Sequence, residues 1–229
     1  MARTLYELSG KNDRRFSPYC WRTRFALAHK NLPAELVPVA FGEKEKIAFS
    51  GQQLVPILVE DGSTVSDSWK IACYLEERHA KAPSLFGGAV GQAEALFINH
   101  WCDRTVHPPL VQAIILDVFK NVRPEDQPYF RETREKRFGK SFEALSAERE
   151  THLTNFRKAL DPARTVIATQ PYLGGAAPAY ADYILAGTLQ WARLACPQDV
   201  LADDDPLRGW RERVFDLHDG LARKVPAAA

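Results

Sequence analysis

The first 80 residues show two kinds of hydrophobic pattern. Apolar and polar side chains alternate with a period of two in four short runs, which predicts strands over residues 4–8, 35–39, 56–60 and 64–65. Apolar side chains recur at helical spacing in two longer runs, which predicts helices over residues 17–30 and 67–79. The Asp61-Gly62 pair between the last two strands predicts a tight hairpin turn.

Beyond residue 90 the pattern is helical throughout. Helices are predicted over residues 92–121, 125–160, 181–194 and 207–223. Pro108-Pro109 must kink or split the first of them, and the third is apolar enough to be fully buried. Between the two halves, residues 80–90 are rich in small and helix-breaking side chains, which is typical of a linker.

These elements predict a fold class of two domains. The order β-α-β followed by β-β-α is that of an α/β thioredoxin-like domain, with a right-handed first crossover and the first two strands parallel. We therefore expect a thioredoxin-like domain over residues 1–80, a linker over residues 81–90 and an all-α domain over residues 91–229.

Composition excludes several functions. The 30 basic and 29 acidic residues give a net charge of +1, which offers no electrostatic case for a nucleic-acid partner. No apolar run approaches the roughly 20 residues that span a bilayer, so we expect no membrane partner, and the N-terminus lacks the apolar core of a signal peptide. The four cysteines contain no C-x-x-C pair and are expected to be reduced thiols, which indicates the cytoplasm.

One motif joins the third strand to the second helix. Val55-Pro56 opens the strand, and Asp67-Ser68 lies where a helix leaves its first backbone N–H groups unpaired and able to bind anions. This combination resembles the glutathione-binding half of the glutathione transferases. The resemblance implies that Pro56 is a cis-proline, that the backbone of Val55 pairs with the cysteinyl unit of glutathione, and that Asp67 and Ser68 hold its γ-glutamyl end.

A second motif, Ser17-Pro18-Tyr19-Cys20, resembles the redox C-P-Y-C of glutaredoxins with serine in place of the first, nucleophilic cysteine. A thiol-dependent reductase is therefore disfavoured. In serine-type glutathione transferases such a hydroxyl stabilises the thiolate of glutathione, the co-substrate, which makes Ser17 the candidate catalytic residue. The alternative for Ser17 is a plain helix cap. Tyr6 is the second candidate for the thiolate, although it could simply pack.

The sequence does not identify which residue would bind the glycine carboxylate of glutathione. Gln53 is a plausible polar contact, but Leu54 stands where the family commonly has a basic residue two positions before the proline. The candidates to supply that charge are Arg14, Arg15, Lys44 and Lys46.

The resemblance covers the whole chain and narrows the expected function. Asp182 takes the N3 place of the family's helix-nucleating capping box, but Ala179 stands where the capping side chain is expected. Residues 17–27 and 204–221 look like the bacterial β-etherase branch. The resemblance implies a homodimeric transferase whose glutathione thiolate attacks an electrophilic aromatic or β-aryl ether substrate, in detoxification of aromatic compounds. The alternative is a non-catalytic protein that binds glutathione or aromatic ligands on the same fold.

The acceptor substrate is expected between the domains, against the first helix of the second domain. His100, Arg104 and His107 fall at i, i+4 and i+7, which predicts one helical face. Zinc spacing is not matched, so these side chains are interpreted as polar groups that line a cleft or pair with a neighbouring helix, and no metal is expected.

Overall fold

A four-stranded sheet forms the N-terminal part of the molecule, in a computed structural model that describes residues 2–228. The strands are β1 (Arg3–Leu8), β2 (Glu35–Val39), β3 (Ile57–Glu60) and β4 (Ser63–Ser66). Their order across the sheet is β2-β1-β3-β4, with β1 and β2 parallel and the other neighbours antiparallel. The predicted parallel pairing is confirmed, because the helix α1 (Pro18–His29) returns the chain to the same end of the sheet.

The predicted hairpin between β3 and β4 is confirmed as well. Asp61 and Gly62 both have positive φ angles, of 46° and 84°. Two consecutive residues in this conformation form the turn whose twist matches that of antiparallel strands. The second helix, α2 (Ser68–Arg78), follows at once and packs against α1.

Eight further helices make up the rest of the described chain. They are α3 (Ala89–Trp101), α4 (His107–Lys120), α5 (Gln127–Phe138), α6 (Phe142–Ala147), α7 (Arg149–Ala159), α8 (Asp161–Ile167), α9 (Tyr180–Ala195) and α10 (Leu207–Gly220). The expected fold class, a thioredoxin-like sheet domain followed by a helical domain, is confirmed. The exact boundaries of the domains and the linker remain a prediction. Within residues 2–228 there is no helix with the length and apolar character needed to cross a membrane.

The kink or split expected at Pro108-Pro109 takes the form of a change in helix type, with helical backbone on both sides. A π-helical turn over Cys102–Val106 separates α3 from α4, and Pro108 and Pro109 lie in the first turn of α4. Proline has no N–H group, so neither Pro108 nor Pro109 donates a hydrogen bond to the preceding π-helical turn. The single helix predicted over residues 125–160 is wrong. Gly139, in the left-handed region at φ 66°, ends α5, and Ser141 caps α6.

The helix α9 lies at the centre of the molecule, as its apolar sequence predicts. Every one of its residues except Arg193 is buried. It packs closely on α1, and at Gly187 the two backbones approach so closely that an added Cβ would lie 2.6 Å from the carbonyl oxygen of Pro18. The buried Arg22 of α1 reinforces this contact, since its Nε donates to the carbonyl oxygen of Ile184 at 3.3 Å.

The start of α9 depends on Asp182. Its side chain accepts the backbone N–H of Ala179 at 3.0 Å, and Ala179 itself provides no side-chain cap, as the sequence indicates. The same carboxylate also accepts the backbone N–H groups of Leu173 and Gly174 and the indole N–H of Trp210, at 2.7, 3.0 and 2.8 Å. A buried carboxylate with four donors therefore holds α9, the preceding loop and α10 together.

Candidate functional site

A cleft of about 690 Å³ lies between the sheet domain and the helical domain. Side chains from the start of α1, the loop before β3 and the start of α2 form one wall, and side chains of α4, α5 and α9 form the other. All six predicted site residues line it: Ser17, Gln53, Val55, Pro56, Asp67 and Ser68.

Ser17 is the N-cap of α1. Its Oγ accepts the backbone N–H of Cys20 at 3.3 Å, and its side chain is buried at the wall of the cleft. A hydroxyl carries one donor and two acceptor lone pairs, so capping leaves its O–H proton available. The helix N-terminus beside it favours negative charge. Ser17 can therefore cap the helix and donate to an anion in the cleft at once.

The side chains of Cys20 and Tyr6 point to structural roles. Cys20 is 2 % exposed, and burial raises the pKa of its thiol to about 12, so it is not a thiolate near neutral pH. Tyr6 is half-buried, its ring lies 5.1 Å from that of Phe49, and it packs against a small apolar cluster under the sheet. Tyr6 is not among the residues that line the cleft.

The turn into β3 lies at the edge of the cleft. The Val55-Pro56 peptide bond is cis, as the resemblance implies. The antiparallel ladder between β1 and β3 ends at Ile57, so the N–H and carbonyl groups of Val55 lie beyond it. The carbonyl oxygen of Pro56 accepts the backbone N–H of Asp67 at 3.3 Å, which joins this turn to the start of α2.

Asp67 is the N-cap of α2, and its own backbone has a positive φ of 77°. Its Oδ1 accepts the backbone N–H groups of Trp69 and Lys70 at 3.0 and 3.1 Å. The sequence prediction assigned the first amides of this helix to a ligand carboxylate, but Asp67 already binds two of them. Neither the backbone N–H of Ser68 nor the Oδ2 of Asp67 takes part in these two hydrogen bonds. The carbonyl oxygen of Ser68 accepts a hydrogen bond from the hydroxyl of Tyr180 at 2.8 Å.

Of the four basic candidates for a glycine carboxylate, Lys44 lines the cleft. Its Nζ donates to the backbone carbonyl of Gln53 at 2.6 Å. The other three are bonded elsewhere: Arg14 to the carbonyls of residues 194 and 226, Arg15 to Glu7 and Asp13, and Lys46 to Glu43.

The predicted helical face of His100, Arg104 and His107 is wrong. The π-helical turn between them changes the register, so His100 and Arg104 are exposed while His107 is buried and lines the cleft. The Nε2 of His107 lies 2.6 Å from the hydroxyl of Thr188, and its Nδ1 lies 3.3 Å from the hydroxyl of Tyr19. Burial holds the pKa of His107 well below its usual value, so the ring is neutral near pH 7.

Cys102, Asp103 and His107 bring three possible metal-ligand atoms within 4.8 Å of one another. The positive charge beside them is the guanidinium of the buried Arg22, whose Nη2 donates to Asp103 at 2.8 Å and to the sulfur of Cys102 at 3.5 Å. We therefore interpret the group as a polar network around Arg22. This network joins α1 to α3 and the π-helical turn.

Sequence reasoning missed most of the helical wall. Trp191, Phe138, Arg134 and Arg137 all line the cleft, from α9 and α5. The sequence feature that could have indicated this wall is the i, i+3 spacing of Arg134 and Arg137, which places both on one face of a helix. Nothing in the local pattern indicates that this face meets the sheet domain.

Comparisons with known proteins agree with this geometry. The family model described as "Glutathione S-transferase, N-terminal domain" matches residues 16–78, and "Glutathione S-transferase, C-terminal domain" matches residues 93–219. A thioredoxin-like domain followed by an all-helical domain is the glutathione S-transferase fold. Because the C-terminal match alone spans more than half of the chain, the protein belongs to the glutathione S-transferase family.

Solved structures similar to the chain include glutathione transferases of fungi, bacteria and plants. The glutathione S-transferase CsGST63524 of Ceriporiopsis subvermispora, in complex with glutathione, is 19% identical with a TM-score of 0.81, over 100% of this chain and 99% of that one. Glutathione transferase GSTFuA3 of Phanerochaete chrysosporium is 23% identical with a TM-score of 0.77, over 98% and 94%. A glutathione S-transferase of Rhodospirillum rubrum F11 is 28% identical with a TM-score of 0.69, over 93% and 88%.

Proposed function

We propose that the protein is a glutathione transferase in which Ser17 donates a hydrogen bond to the thiolate of glutathione. The observation that carries the proposal is the position of Ser17, a helix N-cap on the wall of the cleft that Val55, Asp67 and Ser68 also line. In this arrangement the γ-glutamyl end of glutathione lies at the start of α2 and its cysteinyl unit lies beside the backbone of Val55.

The reaction needs only positioning and charge stabilisation from the protein. The thiolate sulfur forms a bond to an electrophilic carbon of the acceptor, and the bond to the leaving group breaks with its electron pair. For a haloaromatic the leaving group is halide. For a β-aryl ether, the substrate of the branch that residues 17–27 and 204–221 resemble, it is a phenolate that takes a proton from water. The alternative, a non-catalytic carrier, keeps the same binding contacts without turnover.

The first test concerns glutathione binding. We expect Asp67→Ala to weaken glutathione binding about tenfold, because in this proposal the ammonium of the γ-glutamyl group binds the Asp67 oxygen that accepts neither helix amide. Isothermal calorimetry measures the change. Asp61→Ala, at the exposed hairpin turn of the same domain, is the control and should bind like the wild type. If Asp67→Ala and the wild type bound glutathione with equal affinity, Asp67 would not be the contact of the γ-glutamyl group.

We further propose a homodimer in which the small domain of one subunit contacts the helical domain of the other. Exposed apolar side chains occur on both: Phe49 and Leu54 on the small domain are 55 % and 74 % exposed, and Val90 and Phe97 of α3 are each 74 % exposed. Such groups on a monomer mark interaction surfaces, and twofold closure is the commonest arrangement.

Light scattering at micromolar concentration tests this assembly. We expect twice the mass of the chain for the wild type and a shift toward one chain for Phe97→Ser. Tyr129→Ser, a change at another exposed aromatic that is 49 % exposed on α5, should leave the mass unchanged. A wild type with the mass of one chain would contradict the dimer.

We also propose a reducing compartment such as the cytoplasm. All four cysteines are free thiols, and three of them are buried. Glutathione keeps such thiols reduced in the cytosol, where it would also be available as the co-substrate.

A further inference from the structure

Two arginines of α5 face the cleft from its helical wall. Arg134 is half-buried, with its guanidinium 4.7 Å from the ring centre of Phe130 and 5.5 Å from that of Phe41. Arg137 lies one turn further along and is exposed. Both arginines line the same cleft as Ser17. Two positive charges therefore lie on the helical wall, which faces the proposed thiol site and is where an acceptor would bind.

Neither arginine has a carboxylate partner among residues 2–228. The acceptor that Arg134 bonds is the hydroxyl of Thr133, at 2.7 Å from Nη1. Arg131, one turn earlier on the same helix, is instead paired with Glu135 and Glu143 at 2.9 and 3.0 Å. Burial lowers the pKa of Arg134, the side chain of Tyr129 partly offsets this, and the nearby charge of Arg137 lowers the pKa further. A partly buried cation beside a like charge is costly unless an anion joins it.

Neither the dipole of α5 nor the glycine carboxylate of glutathione accounts for both arginines. The C-terminus of a helix favours cations, and both Lys136 and Arg137 lie in the last turn of α5, but Arg134 lies outside that turn. The glycine carboxylate has Lys44 on the small-domain wall as a candidate partner. The arginines are on the opposite wall, where Phe138 and Trp191 also line the cleft.

We propose that the acceptor of this transferase is an aromatic compound that carries a carboxylate, with the carboxylate bound by Arg134 and Arg137. The ring lies against the aromatic side chains of the cleft, and the guanidinium groups supply the planar, forked donors that match a carboxylate. Turnover of this acceptor requires the proposed transferase function, whereas binding of its carboxylate to the two arginines does not. The carboxylate is unchanged in the reaction, in which the thiolate displaces a leaving group from the ring.

The test uses two acceptors that differ in charge, 4-chloro-3-nitrobenzoate and 4-chloro-3-nitrobenzamide. In both, sulfur bonds to the ring carbon and chloride leaves with the electron pair of the C–Cl bond. We expect the Arg134→Met/Arg137→Met double variant to lower kcat/KM for the benzoate by roughly tenfold or more, and for the benzamide by less than about twofold. Each variant is compared with the wild type on the same compound, so the different reactivities of the two compounds cancel.

Lys136→Met is the matched control. It removes one positive charge from the same turn of α5 but is exposed and does not line the cleft, so both acceptors should react as with the wild type. Equal losses for the benzoate and the benzamide in the double variant, or no loss, would overturn the proposal. A raised KM for glutathione with both acceptors would assign the arginines to the glycine carboxylate and would also overturn it.

A binding measurement separates this proposal from the proposed function. Calorimetry without glutathione should show the wild type binding the benzoate roughly tenfold more tightly than the benzamide, with the difference lost in the double variant. This result would support the anion site even if neither compound were turned over. Equal wild-type affinities for the two compounds would overturn the anion site even if turnover were observed. Thermal melting of each variant verifies that it is folded.

Discussion

Ser17→Ala is expected to raise the pKa of bound glutathione by one to two units, back toward the roughly 8.5 of a free thiol. The proposed hydrogen bond from the Ser17 hydroxyl to the thiolate would favour the charged form, and one pKa unit corresponds to about 1.4 kcal/mol. Below the wild-type pKa the thiolate fraction, and with it kcat/KM, should fall roughly tenfold for each unit. The thiolate absorbance of bound glutathione, followed against pH, measures the shift directly.

Two controls separate this effect from the loss of a helix cap. Ser141 caps α6 in the same way, since its Oγ accepts the backbone N–H of Ala144 at 3.1 Å, and it does not line the cleft. Ser141→Ala should therefore cost a similar 1 kcal/mol or so of stability with no change in the thiol titration. Ser17→Thr keeps the hydroxyl and should retain most of the effect.

Identical titration midpoints for the wild type and Ser17→Ala would reduce Ser17 to a cap. The next candidate is then Tyr19 rather than Tyr6, because Tyr19 lines the cleft and Tyr6 does not. Burial raises the pKa of Tyr19 to about 12, so its hydroxyl stays protonated and able to donate near pH 7.

Asp182→Ala is expected to lower the free energy of unfolding by about 4 kcal/mol. The substitution leaves four N–H donors without an acceptor in the interior: the backbone groups of Leu173, Gly174 and Ala179 and the indole of Trp210. Urea unfolding followed by circular dichroism measures the loss. Asp182→Asn keeps one acceptor oxygen and should lose less, which provides a measurement if the alanine variant does not fold.

Asp204→Ala is the matched control for this prediction. Asp204 lies in the loop before α10 and is exposed, so its removal should change the free energy of unfolding by less than about 0.5 kcal/mol. A loss of less than about 1 kcal/mol for Asp182→Ala would show that the four donors find other partners, and that the hydrogen bonds at the start of α9 do not control stability.

The parts of the fold that sequence predicted are those determined by neighbouring residues. The hairpin at Asp61-Gly62 follows from the positive φ angles that its turn requires. The starts of α1 and α2 follow from Ser17 and Asp67, whose side chains bond amides two or three residues away. The six residues predicted to form the site were identified chiefly through motifs that resemble a known family, and they line one cleft.

The parts that were missed depend on local breaks or on distant contacts. The amphipathic pattern continues across Gly139, so one long helix was predicted where a left-handed glycine and the cap at Ser141 start a new one. The π-helical turn before His107 changes a register that was counted as a regular helix. The orientation of Arg134 toward the cleft depends on how α5 packs against the small domain, which periodicity does not encode.

The contact between Gly187 and Pro18 limits how the two halves of this protein can diverge. The helix that presents Ser17 begins where the backbone of α9 leaves no room for a side chain, so the position of the Ser17 hydroxyl relative to α9 depends on this contact. A side chain at position 187 would therefore shift α1 against α9 and move the hydroxyl of Ser17 relative to Trp191 on the helical wall.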